Sequence, residues 1–361
     1  MFGNNSEIDG DMPFTRRLHI AAEDHFVQEI PGTYPRLCPL PDGSILAGFT
    51  NFQPDARRLV IGRSTDEGRS FEPHGEVTRT SPTNDCDNIS LLHLPGDGDM
   101  PTILAAFRNH DVDDDGNPTY FRITVCQSTD GGQSWAFLSQ AFEKPAPLGL
   151  WEPFLRLAKE GEEIQLYFSQ EMDHDDQDTM IVRSSDGGAT WSEPVCVTGQ
   201  DERLRDGMVG VAETVDSVTG EHLLVMVMET TRRGAGLFSI EAVLSYDDGD
   251  TWGWRHTVYE PADGKCAGAP QIASFSDGSL AVVFMTDEDT PEDEVQWPQG
   301  AKIKAVYGEQ VAEGKVLWSP PEDVGHTMSK WPGITRVNDD ALLAVYELDS
   351  IIRGRMLRAA V

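Results

Sequence analysis

Two carboxyl groups facing each other across a gap can split a glycosidic bond. One lends a proton to the leaving oxygen while the other attacks the sugar carbon or activates water. The 361-residue sequence offers Glu152, Glu171, Glu229, Glu241 and Glu347 for such work, with Asp111 and Asp206 in reserve. Glu241 stands apart, because it interrupts the apolar stretch "FSIEAVLS". A lone carboxylate in such a strand is costly unless it is paired, so it has either a function or a partner such as Arg233. The surrounding candidates are Arg36, Asn88, Arg108, His110 and Gln271, with the aromatic residues Trp151, Trp331 and Tyr346. Amides, arginines and aromatic faces together suit a hydroxyl-rich ligand. Arg108 and His110 would hold sugar hydroxyls or a carboxylate, or would tie neighbouring structural units together. Sequence spacing alone does not choose the reacting pair.

What must bring these residues together is a repeat. The run "RSSDGGATW" (183–191) recurs as "QSTDGGQSW" (127–135), "RSTDEGRSF" (63–71) and "LSYDDGDTW" (244–252). Its serines, Ser64, Ser128, Ser184 and Ser245, are 64, 56 and 61 residues apart. The run is turn chemistry: Ser and Asp bond nearby backbone N–H groups and glycine supplies a positive φ. Upstream of each run, and twice more near the C-terminus, two apolar strands flank a turn, as in "RLCPLPDGSILAGFT" and "PQIASFSDGSLAVVFM". Six such hairpins at about 60 residues each predict an all-β, six-bladed propeller occupying residues 1–361 as one domain, with 1–13 as a flexible N-terminus. The last unit is one strand short, and "RRLHIAAEDHFVQEI" near the N-terminus would close it. In such a ring the ligand mouth bears the starts of the innermost strands and the exits of the second strands. Aligning the hairpins places Thr50, Arg108, Ser169, Glu229, Met285 and Glu347 at the exits, and Arg36, Asn88, Glu152, Asp206, Gln271 and Pro332 at the starts.

Composition bounds the partners. A formal charge of −33 argues against nucleic acid and anionic membranes. No stretch of roughly 20 apolar residues is present. The five cysteines are single and scattered, which predicts buried free thiols, leaves room for one disulfide and offers no zinc motif. "DVDDDGN" (111–117) lacks the terminal glutamate of a calcium loop, so neither a metal nor another cofactor is expected. The expected partner is a sugar chain, and the expected state a monomer. The N-terminus carries no basic region followed by an apolar core, so the sequence suits a secreted protein without its leader or a cytoplasmic one.

The Ser-x-Asp-x-Gly-x-Thr-Trp run resembles the Asp-box of sialidases and related propellers, which marks a fold and says little about function. The stretches "AFRNHD", "LWEPFLRL", "LYFSQE", "RDGMVGV" and "METTRRGAGLFSIEAVLSYDDGDTW" look like glycoside hydrolase family 93. That resemblance runs along most of the chain and is strongest between about 85 and 255. It implies a retaining exo-α-1,5-L-arabinanase that releases arabinobiose from linear arabinan. The family's acid/base and nucleophile would fall on Glu171 and Glu241, with Glu152 and Glu229 nearby in binding or pKa-tuning roles. The remaining expected substrate contacts are Arg36, Asn88, Arg108, His110, Trp151, Asp206 and Tyr346.

Two other functions compete. A sialidase would need three arginines for the substrate carboxylate; "TYPRLCPL" offers Arg36, but blade 5 contributes none from "AVVFMTDE". A non-catalytic carbohydrate-binding or interaction propeller would place Glu171 and Glu241 far apart, whereas a retaining hydrolase needs two carboxyls about 5–6 Å apart across the pocket.

Overall fold

The strands that the hairpins predict curl into a ring of six antiparallel sheets, as seen in a computed structural model that describes residues 16–360 apart from 97, 99 and 162. The expected flexible N-terminus, 1–13, lies outside the described residues. From centre to rim, blade 1 holds Thr33–Pro39, Ile45–Gln53, Ala56–Ser64 and Glu72–Thr80, and blade 2 holds Asp85–Leu94, Thr102–Val112, Pro118–Ser128 and Ala136–Pro145. Blade 3 holds Leu150–Leu157, Ile164–Asp173, Asp176–Ser184 and Val195–Thr198; blade 4 holds Gly207–Val215, His222–Thr230, Ser239–Ser245 and Gly253–Tyr259. Blade 5 holds Ala267–Ser274, Leu280–Thr286, Lys302–Gly308 and Glu322–Thr327.

Blade 6 holds Ser329–Asn338, Ala341–Leu348 and Ile351–Ala360, and the N-terminal segment completes it. Arg17–Ile20 runs antiparallel to one end of the last strand, with Arg17 opposite Ala360. His25–Pro31 pairs with its other end, with His25 opposite Gly354. The two ends of the chain thus share one sheet, and the ring closes through backbone hydrogen bonds. The predicted closure holds, in two pieces.

Each blade buries both faces against its neighbours, which explains why the second strands read as unbroken apolar runs. The apolar core is accordingly divided into six clusters, one at each blade-to-blade junction, such as Leu46, Ile61, Ile103 and Phe107 between blades 1 and 2.

The nine-residue runs lie between the third and fourth strands, on the face away from the mouth. Their four copies share one set of bonds. In blade 3, Ser184 Oγ accepts the Gly188 N–H at 2.9 Å and donates to Asp186 Oδ1 at 2.8 Å. Asp186 in turn accepts the Thr190 N–H at 2.9 Å and the Thr190 hydroxyl at 2.6 Å. The glycine four residues after the serine of each run is required: φ lies between +79° and +93°, and the site of a Cβ presses on the second strand of the preceding blade. That contact is Leu343 for Gly68, Leu46 for Gly132, Leu104 for Gly188, and Gln165 with Tyr167 for Gly249. The run is a fastener between blades.

Candidate active site

The mouth is built on a feature that pattern reading does not see. Among the described residues, one residue in each blade adopts φ between +39° and +56° near the start of the innermost strand: Tyr34, Asn88, Glu152, Met208, Ala269 and Trp331. At each the pairing register slips, as between Asp87 and Ser90 or between Trp151 and Phe154. Each is a β-bulge with a non-glycine residue in left-handed backbone, a conformation that costs on the order of 1–3 kcal/mol and is held by the surrounding fold. The residue before each bulge faces the second strand, pairing with Thr50, Arg108, Ser169, Glu229, Met285 and Glu347. The expected exit column is therefore right. The expected start column is right at Asn88 and Glu152 and off by one or two residues at Arg36, Asp206, Gln271 and Pro332, because the bulge inserts a residue that simple alternation does not count.

Tyr34 and Trp331, from blades 1 and 6, stack with ring centroids 4.4 Å apart and 24° between planes, giving one wall of the mouth an aromatic face. Asn88 follows in blade 2, where its backbone N–H is held by Asp87 Oδ1 at 2.8 Å. Its side-chain amide is buried with no hydrogen-bond partner among the described residues. Arg108 pairs with Asp85 at 3.1 Å and Asp87 at 3.6 Å, and its guanidinium lies 5.3 Å from the centre of the Trp151 ring. Thr50 donates to Asp87, which completes a fixed cation–anion cluster at the blade 1–2 boundary.

Glu152 comes next, half-buried at the bulge of blade 3. Burial pushes its carboxyl from the ordinary 4.5 up to about 8; Arg108 pulls it down and the charge of Glu229 pushes it further up. Glu229, at the exit of the second strand of blade 4, is pushed up to about 7 by burial, against the Ala269 N–H and Arg205. Its Oε2 accepts that N–H at 2.8 Å. Gly268 leaves the necessary room, since a Cβ there would stand 2.5 Å from Glu229 Oε2. The mouth thus holds two carboxyls of raised pKa, and the charge of Glu229 adds to the upward push on Glu152.

Glu171 and Glu241, the expected catalytic pair, have different neighbours. Glu171 is fixed by the Gly149 N–H at 2.8 Å and by Arg205 at 3.1 Å. Arg205 also bonds Gln177 Oε1 at 2.8 Å and lowers the pKa of both Glu152 and Glu229, so it links Glu171 to the other two carboxyls electrostatically. Glu241 lies one strand further from the axis, buried, with Arg255 and Arg232 both reaching its Oε2. Arg255 also grips Asp206 in a bidentate pair, 2.6 and 3.0 Å. Glu241 therefore has a structural partner, though Arg255 and Arg232 take the place expected for Arg233. No hydrogen bond or ion pair among the described residues joins Glu241 to Glu171.

Three expected sugar contacts have other duties. Asp206 is fully buried under Arg255, so it orients that arginine and presents nothing to the mouth. His110 is fully buried: Nε2 lies 2.8 Å from the Leu150 carbonyl and Nδ1 accepts the Arg122 N–H at 3.2 Å. Burial lowers its pKa to about 4, and the neutral ring ties blade 2 to blade 3 with no nitrogen left to offer. Tyr346 is also fully buried and donates its hydroxyl to Asp24 at 3.0 Å, anchoring the N-terminal segment. Arg36 sits below the mouth, capping the Pro35 and Pro332 carbonyls at 2.8 and 3.0 Å and lining a central channel of about 390 Å³. Glu347 is held by Thr33 at 2.5 Å and Lys330 at 3.5 Å. Tyr34 and Arg205 were missed, and the signal for both was present: each stands within two residues of an expected start position. The described residues include no cluster of His, Cys, Asp and Glu fit for a metal ion, and all five cysteines are free.

No protein-family model matches this sequence, and no curated protein does so. Among solved structures the chain is similar to an α-L-arabinofuranosidase from Fusarium graminearum in complex with an iminosugar inhibitor, at 19% identity, covering 93% of this chain and 97% of that one with a TM-score of 0.70. It is similar to a Penicillium chrysogenum α-L-arabinanase complexed with arabinobiose, at 19% identity, with coverage of 93% and 97% and a TM-score of 0.65. An intramolecular trans-sialidase from Ruminococcus gnavus shares 13% identity, with coverage of 90% and 94% and a TM-score of 0.60. At these identities the likeness is one of fold, a six-bladed propeller shared with solved structures that include an α-L-arabinofuranosidase of glycoside hydrolase family 93.

Proposed function

We propose that the protein is a retaining glycoside hydrolase acting from the end of a neutral furanose chain, α-1,5-linked L-arabinan, with Glu152 as acid/base and Glu229 as nucleophile. The observation that carries this reading is the presence in the mouth of two carboxyls of raised pKa, Glu152 pushed further up by the charge of Glu229, beside an aromatic wall. In the first step the Glu229 carboxylate forms a bond to the anomeric carbon as the glycosidic C–O bond breaks, and the Glu152 proton passes to the leaving oxygen. In the second, water attacks the glycosyl–enzyme ester, its proton goes to the Glu152 carboxylate, and Glu229 leaves as carboxylate. The pair expected from the sequence, Glu171 as acid/base and Glu241 as nucleophile beside Arg232 and Arg255, is the alternative assignment; loss of activity in E171Q and E241Q with activity kept in E152Q and E229Q would establish it instead.

A neutral substrate is favoured by the arginines themselves. Arg108 faces two aspartates, Arg205 faces Glu171 and Gln177, and Arg36 caps two carbonyls, so each is engaged before a substrate carboxylate arrives. Arabinose is favoured over other pentoses by solved relatives of the same fold that hold arabinobiose. The test is incubation with linear, debranched and branched arabinan, followed by chromatography. Arabinobiose as sole early product supports exo action, and a ladder of oligomers would refute it. Release of sialic acid from a sialoside, or no product from any arabinan, would overturn the reading.

A further inference from the structure

The loops that rise around the mouth are very unequal. Between second and third strands, blades 1, 3 and 6 turn within two residues (54–55, 174–175 and 349–350), and blade 2 within five (113–117). Blade 4 uses eight (231–238) and blade 5 fifteen (287–301). The two long loops are neighbours, and their aromatic residues meet: Phe238 and Trp297 have ring centroids 6.3 Å apart, tilted by 30°. The blade 5 loop is fixed without help from its indole. Lys265 Nζ donates to the Thr290 carbonyl at 2.6 Å and to Gln296 Oε1 at 2.8 Å. The Thr290 hydroxyl donates to the Gly300 carbonyl at 2.8 Å, and Asp287 Oδ2 accepts the Trp297 N–H at 3.2 Å.

This scaffold brings the Trp297 ring to the glycine against which Glu229 also lies. A Cβ on Gly268 would stand 2.5 Å from Glu229 Oε2 and 2.8 Å from the ring of Trp297, so ring and carboxylate abut the same glycine from two sides. Trp297 is half-buried, and its indole N–H has no protein acceptor among the described residues. A large aromatic surface with a free donor, next to a carboxylate of raised pKa, suits the apolar face and the hydroxyl edge of a sugar ring.

We infer that Trp297, backed by Phe238, is the platform of a sugar-binding subsite adjoining Glu229, and that the 287–301 loop walls the mouth on that side so that a chain end is admitted and a chain middle is refused. The occupant is a furanose unit of the substrate chain, and the inference rests on the glycosidase reading above. Trp297 acts here by binding and specificity, while Glu152 and Glu229 carry the bond-breaking.

The test compares W297A and W297F with the wild type on arabinotriose and longer linear oligosaccharides, and titrates each protein with arabinobiose while following tryptophan fluorescence. Loss of one covered sugar face is expected to raise KM about tenfold in W297A with kcat nearly unchanged. W297F is expected to recover most of that loss, and the fluorescence response of the wild type is expected to vanish in W297A. Early products of W297A are expected to broaden from one size to several. Equal impairment of W297A and W297F, or arabinobiose binding by W297A at wild-type affinity, would overturn the inference. A wild type that binds arabinobiose without cleaving arabinan defeats the hydrolase reading and leaves the subsite to be judged by fluorescence. A wild type that neither cleaves nor binds defeats both.

Discussion

Replacing Glu152 with glutamine should make the protein more stable and far less active, with the stability gain appearing only as the pH rises. Burial holds the Glu152 carboxyl at about 8 against an ordinary 4.5. Its folded-state pKa thus lies above the unfolded value, so the folded chain keeps a proton that the unfolded chain releases. Stability from this group is complete below about pH 4.5 and is lost progressively as pH climbs through about 8. Fully expressed, the 3.5-unit gap corresponds to about 5 kcal/mol at 1.36 kcal/mol per unit. Glu152 is only half-buried, so water in the mouth trims the range to about 2–5 kcal/mol. At roughly 2.1 cal/mol/K per residue, a chain of this length unfolds with an entropy near 0.8 kcal/mol/K, so the shift in Tm is about 3–6 °C. The E152Q variant leaves Arg108 its two aspartates, so no cation is orphaned. Thermal unfolding of wild type and E152Q at pH 5 and pH 9 is the assay. The two proteins should melt together at pH 5, and E152Q should melt higher at pH 9. A Tm difference that is the same at both values, or of opposite sign, would refute the buried-acid argument. Hydrolysis by E152Q should fall on the order of 10²–10⁴-fold, as removal of a general acid predicts.

Three further outcomes follow from the same geometry. With Glu229 near 7 ionised and Glu152 near 8 protonated in the working enzyme, kcat/KM should trace a bell between those values, and a flat profile from pH 5 to 7 would contradict the role assignment. In S245A the buried Gly249 N–H loses its acceptor, the hydroxyl of the fully buried Ser245, which should cost about 1–3 kcal/mol, lower Tm by a few degrees and leave KM unchanged. Y346F removes the hydroxyl bonded to Asp24 and should loosen the N-terminal clamp by about 1 kcal/mol, seen as faster hydrogen exchange in 17–20; a raised KM would instead restore Tyr346 to the sugar site.

The repeat was legible because blade-to-blade packing imposes itself locally. Every unit needs the same hairpin and the same fastening turn, and the required Asp, Gly and Ser stand in fixed order whatever lies elsewhere in the chain. Six blades, the closing N-terminal strand and the column of strand exits could all be read from that order. The candidate glutamates were legible too, since a carboxylate in an apolar strand departs from its aligned neighbours.

Which glutamates act together is a property of three dimensions. Glu241 departs from its column, yet Arg255 from the outer strand of the same blade and Arg232 from the 231–238 loop both reach it, contacts that the order of residues does not reveal. Asn88 and Glu152 fell in the right column while Arg36 and Asp206 did not, because a bulge in each inner strand breaks the two-residue period on which alignment depends. His110 and Tyr346 carry polar groups that would suit a sugar, and only their complete burial and their protein partners exclude them. Trp297 gave no local sign, because its place beside Glu229 depends on a fifteen-residue loop folding back across Gly268. Local residue order specifies the blade, since the blade is held by short-range turns and alternating strands. Long-range packing sets the electrostatics of the mouth, since the Glu152 carboxyl reaches about 8 where burial and the charge of Glu229 outweigh the opposing pull of Arg108.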